Sequence, residues 1–346
     1  MPPLRVHPDH PNLFQDAEGR PVVLAGSHHW DNLIDNAERP GGFEFERYLD
    51  RLTGWGHNFI RLWTHEAWTH DLHPRVYERS GPRRALDGRP RFDLTRFNPE
   101  YFERLRSRVV HAGERGFYVS VMLFNGWSIH NKGEGNPWHR HPFNRENNVN
   151  GIDGDPDARG EGSDVHTLRI PEITRLQEAY VDKVLATVRD QDHVLWEIAN
   201  ESPRESVPWQ YRLILYLRKI DPAGHPIGMT ATFPGNRNED LFRSPADWIS
   251  PGNRGGWRKS PPKADGRKVV IVDTDHLWGI GGDAEWVRKV LNAGHHVAYM
   301  DPLDEDPGRE GARGAMGSPS CPPLLSRCSS LLPASRAGAD RVRLRP

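Results

Sequence analysis

The chain has 346 residues, and at roughly 150 residues per domain this suggests about two domains, although one α/β barrel of roughly 250 residues or more also fits. Lys plus Arg (46) and Asp plus Glu (47) nearly cancel to a formal charge of −1, which removes the broad electrostatic case for nucleic acid or an anionic membrane as partner. No run approaches about 18 apolar residues, so a spanning helix is excluded, and the two cysteines cannot build a disulfide framework.

Short apolar runs then alternate with amphipathic stretches. The opening Met1–Phe14 stretch lacks the apolar centre of a secretory signal, so a cytoplasmic location is expected. A first strand is expected at 21–26, followed by a helix over 43–55 that places Phe43, Phe45, Tyr48, Leu49 and Leu52 at helical spacing. A second strand covers 58–63. Asp93 to Asn98 reads as the capped entry to a helix over 99–115, with Pro99 at its first position. Strand three covers 116–124. After it comes a polar stretch of about 40 residues rich in Asn, Gly and His, long enough to be functional or disordered. A helix over 171–190, strand four at 193–199, a helix over 209–220 and strand five at 226–232 follow. Strands at 247–250 and 268–272, a helix over 283–293 and a last strand at 296–300 complete the pattern.

From residue 307 the composition changes. Residues 307–346 hold both cysteines (Cys321 and Cys328), are dominated by Arg, Pro, Ser and Gly, and contain no aromatic residue. They read as a basic low-complexity tail, expected to be disordered. The body, 1–306, is therefore acidic and holds every tryptophan.

Eight strand candidates, apolar throughout, with helices after strands one, two, three, four and seven, suit a parallel sheet covered on both faces. Eight β/α units in about 300 residues favour a (β/α)8 TIM barrel, an α/β fold, over a doubly wound sheet. No Gly-x-Gly-x-x-Gly follows the first strand and no P-loop is present. The eighth helix should follow Asp301, where the body ends, so a missing or defective final helix is expected.

In such barrels the working residues stand at the carboxyl ends of the strands. Those ends supply Asp31 after strand one, Arg61, His65 and Glu66 around strand two, and Asn125 and Trp127 after strand three. They also supply Asn200 and Glu201 after strand four, Asn253 after strand six, Asp273, Asp275 and His276 after strand seven, and Asp301 after strand eight. Recurrent carboxylates suit acid/base work on a sugar bond. Strand alternation puts Glu197 and Glu201 on one side, with Glu197 deeper and suited to a structural ion pair, and Glu201 at the rim.

The strand closing in Trp196-Glu197-Ile198-Ala199-Asn200-Glu201 resembles the fourth strand of the clan A glycoside hydrolases, family 5-like enzymes in particular. Asn58 to Trp63 resembles the clan's strand that carries an active-site arginine, and Asp16 to Gly26 its first strand and lead-in, so the resemblance spans about residues 13–301. It implies a cellulase-like hydrolase of O-glycosidic bonds in oligo- or polysaccharides, without a cofactor. Glu201 would be the proton donor, Asn200 would contact the sugar 2-hydroxyl, and Arg61 would orient the nucleophile.

Strand seven departs from the pattern, since it ends in Asp273 and Asp275 where the clan has a nucleophilic Glu. An Asp arm is one carbon shorter, roughly 1–1.5 Å of reach. Retaining chemistry wants carboxyls about 5–5.5 Å apart and inverting chemistry about 6.5–9.5 Å, so the shorter arm leaves nucleophile and base roles both open. Asp273 is favoured on alignment, with Asp275 as the alternative.

Trp127 and, from the long loop, Trp138 and Phe143 could form a sugar platform. Two other readings compete. One is a noncatalytic carbohydrate-binding barrel, on the missing Glu. The other is a metal-dependent hydrolase using His139 and His141 with Asp153 or Asp155, although no established metal motif is present.

Overall fold

The computed structural model describes residues 3–303 and Arg313. Eight strands close into one barrel: β1 (Ala25–His28), β2 (Phe59–Leu62), β3 (Tyr118–Asn125), β4 (Val194–Asn200), β5 (Ile227–Thr230), β6 (Trp248–Ser250), β7 (Val269–Asp273) and β8 (His296–Met300). Every neighbouring pair is parallel and β8 pairs with β1, so the barrel has no open edge. Parallel neighbours demand crossovers, and the helices supply the covering layer: α1 (Phe45–Gly54), α2 (Pro99–Glu114), α3 (Pro171–Val188), α4 (Val207–Ile220), α5 (Asn238–Arg243) and α6 (Ala284–Asn292). The expected (β/α)8 barrel is the observed fold.

Local chemistry explains the boundaries. Asn98 accepts from Glu100 N at 3.2 Å ahead of Pro99 and starts α2. Asp283 accepts from Trp286 N at 2.8 Å and starts α6. The apolar stripes of α1 (Phe45, Tyr48, Leu49, Leu52) and α3 (Ile173, Tyr180, Val181, Val184) are buried, joining the strands' outward residues in one large core.

The inside of the barrel is layered. Phe59, Tyr118, Leu195, Trp248, Val269 and Ile271 form an apolar floor, closed beneath by Leu4 and Phe14. The Trp248 indole leaves no room for a Cβ at Gly228, so glycine there lets the ring fill the barrel. Above the floor the inward side chains turn polar: Arg61, Ser120, Glu197 and Asp273, all buried.

Two regions hold more structure than was expected of them. Asn98 and Pro99 open α2 as expected, and the residues before them, Pro90–Phe97, also pair antiparallel with Tyr77–Arg84 in a hairpin. Its residues show no clean alternation because arginines serve as packing groups: Arg79 lies over the Phe92 ring at 3.9 Å and pairs with Asp87. The polar loop after β3 is ordered. Asn125, Asn136 and Asn144 each accept a backbone N–H two residues on, and Asn148 donates to three loop carbonyls, of Pro142, Asn144 and Ile152. This loop packs Trp138, Phe143 and Val165 against Tyr77, Phe92 and Leu94, a second small core.

Asp301, after β8, is buried and paired with Arg313 at 2.5 Å, and the Arg313 guanidinium lies 5.2 Å from the Trp55 ring of the turn after α1. The rest of 307–346, with Cys321, Cys328 and the expected eighth helix, lies outside the described residues. No helix among the described residues is long and apolar enough to cross a membrane.

Candidate active site

The polar layer is organised by Arg61 on β2. Its Nε donates to Glu197 Oε2 at 2.8 Å and its Nη2 to Glu197 Oε1 at 2.6 Å, a two-point fork on β4. Nη2 also donates to Asn200 Oδ1 at 2.7 Å, and Nη1 donates to Asp275 Oδ2 at 3.0 Å and Asp273 Oδ2 at 3.4 Å. Burial works against the guanidinium charge, but Glu197, Asp273 and Asp275 outweigh it and hold Arg61 firmly protonated.

Asp273 is enclosed on every side. His28 Nδ1 accepts from Trp63 Nε1 at 2.8 Å, which leaves its Nε2–H to donate to Asp273 Oδ1 at 2.8 Å. Asp275 N donates to the same oxygen at 2.9 Å. Burial alone would raise the Asp273 carboxyl, yet His28 and Arg61 reverse this and lower it well below the usual range.

Above this layer opens a cleft of about 750 Å³. Glu201 and Asp275 face it, with Lys132, Glu134 and His276, among Trp30, Trp63, Trp68, Trp127, Phe233 and Trp278. Glu201 follows the last residue of β4 in the left-handed region, at φ 43°. A bulky residue there costs about 1–3 kcal/mol, so the surrounding contacts must hold it in place. Its Oε2 accepts from Trp127 Nε1 at 2.7 Å and its carbonyl from Lys132 Nζ at 2.6 Å. Burial and then the charge of Asp275 push the Glu201 carboxyl up from 4.5 to about 7, against the opposing effects of Lys132, Trp127 and Arg61. Glu201 is thus a carboxylic acid that keeps its proton near neutrality beside another carboxylate, the pairing that acid/base chemistry requires.

Comparison with known proteins comes down to architecture. Residues 48–207 match a domain of unknown function, DUF6298. No curated protein sequence matches the chain. Among solved structures, a glycoside hydrolase family 5 mannosidase from Rhizomucor miehei is 12% identical, with a TM-score of 0.61 over 95% of this chain and 99% of its own. Endo-glycoceramidase II from Rhodococcus sp. is 16% identical, with a TM-score of 0.53 over 88% of this chain and 80% of its own. A Bacteroides vulgatus structure, 17% identical with a TM-score of 0.56, aligns with 90% of this chain, which spans only 57% of that longer protein. The chain has a family 5-like (β/α)8 fold.

Within this family 5-like barrel the expected site residues separate by depth. Glu201, Asp275, Trp127, His65 and Asp31 line the cleft. Asn200, Asn125, Arg61 and Asp273 are buried beneath it and act on neighbours. Asn200 Oδ1 accepts from Arg61 and from His276 Nε2 at 3.0 Å. Asn125 Oδ1 accepts from Trp127 N at 3.0 Å, and its Nδ2 donates to His65 Nδ1 at 2.9 Å. His65 Nε2 in turn donates to Trp30 O at 3.1 Å, and burial lowers this imidazole to about 4, so it is neutral near pH 7. Of the two aspartates, the one favoured on alignment is already engaged inside the barrel, and Asp275 is the one that reaches the cleft.

Trp138, expected with Trp127 and Phe143 over the barrel mouth, does not line the cleft. It is 3% exposed, in the small core that orders the long loop, and Phe143 belongs to the same core. The cleft is instead walled by Trp30, Trp63, Trp68 and Trp278, which sequence reasoning passed over because a lone tryptophan after a strand looks the same in a core or a cleft. His141 is fully buried, with Nδ1 accepting from Phe143 N at 3.0 Å. Among the described residues no group of three or more His, Cys, Asp or Glu side chains could hold a metal ion. Lys132 was also passed over, because a single lysine in a polar loop carries no signal of its own.

Proposed function

We propose that the protein is a glycoside hydrolase in which Glu201 is the general acid/base and Asp275 the partner carboxylate, acting as nucleophile or as the base on a water. The observation that carries this reading is the Glu201 carboxyl, raised to about 7 in an aromatic cleft that it shares with Asp275. A proton donor to a glycosidic oxygen must be protonated at the working pH, and its partner must be ionised. Arg61 donates to Asp275 and so fixes the place of that carboxyl at the floor of the cleft. Flat apolar rings around the two carboxyls suit the CH faces of sugar rings, so a carbohydrate is the substrate. Asp273 and Glu197 serve as the counter-charges that keep Arg61 in place.

The test is hydrolysis of a panel of aryl glycosides by the wild type and by Glu201→Gln, Asp275→Asn and Asp273→Asn. Glu201→Gln and Asp275→Asn should each lower kcat/KM by at least about 100-fold, and wild-type kcat/KM should fall as pH rises through about 7, where Glu201 loses its proton. Turnover unchanged in Glu201→Gln would reject the assignment. Glycan binding without turnover, retained in both Asn variants, would instead establish a carbohydrate-binding barrel.

A further inference from the structure

Lys132 belongs to the loop after β3, yet its side chain works at the turn after β4. Its Nζ donates to the Glu201 carbonyl at 2.6 Å and stands 5.0 Å from the ring centroids of both Trp127 and Phe233. One ammonium group thus touches the loops that follow β3, β4 and β5, and it lines the cleft with Glu201 and Asp275.

The carbonyl it grips belongs to the residue at φ 43°. Other contacts brace the same turn. Phe233 N donates to Ser202 O at 3.0 Å, and the Ser202 hydroxyl donates to His166 Nδ1 at 2.9 Å. A Cβ on Gly126 would lie 2.6 Å from Ser202 Cα, so the β3 loop is pressed directly against the turn. Lys132 adds charge to this set. An ammonium ion enclosed between aromatic faces is costly unless the local field favours it, and here two carboxyl groups provide that field.

We infer that Lys132 is a positioning residue for the proposed reaction: it clamps the turn that carries Glu201 and supplies the positive charge against which the Glu201 carboxyl titrates. The inference rests on the reading of Glu201 as the proton donor. The groups that act on that carboxyl come from four sides: Asp275 after β7, Arg61 on β2, Trp127 after β3 and Lys132 from the long loop. Glu134 and His276 line the same cleft. Asp275 favours the protonated acid, whereas Lys132, Trp127 and Arg61 favour the carboxylate. Burial pulls Lys132 itself down from 10.5 to about 8, against Glu201 and Asp275, so it still carries its charge where Glu201 titrates near 7. Lys132 therefore sets how far the proton donor stays loaded as pH rises.

The experiment follows the Glu201 carboxyl directly, by 13C NMR of protein labelled at the glutamate carboxyls, with the resonance assigned by its absence in Glu201→Gln. In Lys132→Met the titration midpoint should move up by about one pH unit, because an opposing charge has gone. Lys132→Arg should return it to near the wild-type value. Lys132→Gln keeps an N–H donor without the charge, so its midpoint should rise as in Lys132→Met while more of kcat survives. The alkaline limb of kcat/KM should follow the midpoint in each variant, and kcat of Lys132→Met should fall roughly tenfold or more as the turn loosens. Thermal unfolding at pH 5 identifies the folded variants, and Lys132→Gln serves if Lys132→Met does not fold. An unchanged midpoint in a folded variant that lacks the charge, or an equal rise in Lys132→Arg, would overturn the inference. Absence of hydrolysis by the wild type would count against the proposed function alone, since the carboxyl titration still decides the role of Lys132.

Discussion

A buried carboxyl raised to about 7 in the folded chain should cost stability at alkaline pH, and Glu201→Gln should recover it. In the unfolded chain Glu201 titrates near 4.5, and in the folded site near 7. Between these values the folded state binds more protons than the unfolded state, so stability falls as pH rises, and above about 7 the loss is complete. The gap of about 2.5 pH units, at about 1.4 kcal/mol each, sets a penalty on the order of 3 kcal/mol. Glu201 is almost fully enclosed, so solvent screening takes little from this figure. Glutamine keeps an oxygen that can accept from Trp127 Nε1 and removes the charge. Urea unfolding of the wild type and of Glu201→Gln at pH 4.5 and pH 8 measures the effect. The variant should gain on the order of 1–3 kcal/mol relative to the wild type at pH 8, and little or nothing at pH 4.5. A gain of equal size at both pH values, or a variant less stable at pH 8, would refute the reasoning and with it the raised carboxyl on which the proposed chemistry rests.

Arg61→Met leaves the Glu197 carboxylate buried without its fork and should cost about 3–5 kcal/mol by urea unfolding, with Arg61→Met/Glu197→Met costing less than the sum of the two single changes. Strictly additive losses would mean the pair is not coupled. Gly126→Ala presses a Cβ against the turn that holds Glu201, so kcat should fall at least about tenfold with a stability loss of about 1–3 kcal/mol, and a normal kcat would show the turn to be compliant. Trp138→Ala should destabilise by about 3–5 kcal/mol and leave KM for small glycosides unchanged, whereas a raised KM in folded protein would return this ring to the substrate site.

The barrel was legible because its signal is local and repeated. Each barrel strand is a short apolar run, the long helices carry apolar stripes, two helices start on a side-chain cap, and eight such strands close in one way. The hairpin at 77–97 was not legible, since arginine stems pack over Phe92 where an apolar residue would mark a strand. The loop after β3 read as polar and long, but its order comes from asparagine side chains bonding to backbone groups two to six residues away, which composition does not reveal.

The site divides along the same line. Glu201, Arg61 and Asp275 could be named from strand ends and from the motif around Glu197, because position along a barrel strand decides which side chains face inward and how high they stand. Which aspartate reaches the cleft could not be named, since Asp273 and Asp275 share a face and differ only in height. His28, Trp63 and Arg61 close over Asp273 and leave Asp275 at the surface of the cleft. The sequence by itself determined the eight-unit barrel and the rim on which the carboxylates gather. Only the tertiary structure decided which groups touch, and with that how Asp275, Lys132 and burial together act on Glu201, because charge interactions depend on distance and enclosure between residues far apart in the chain.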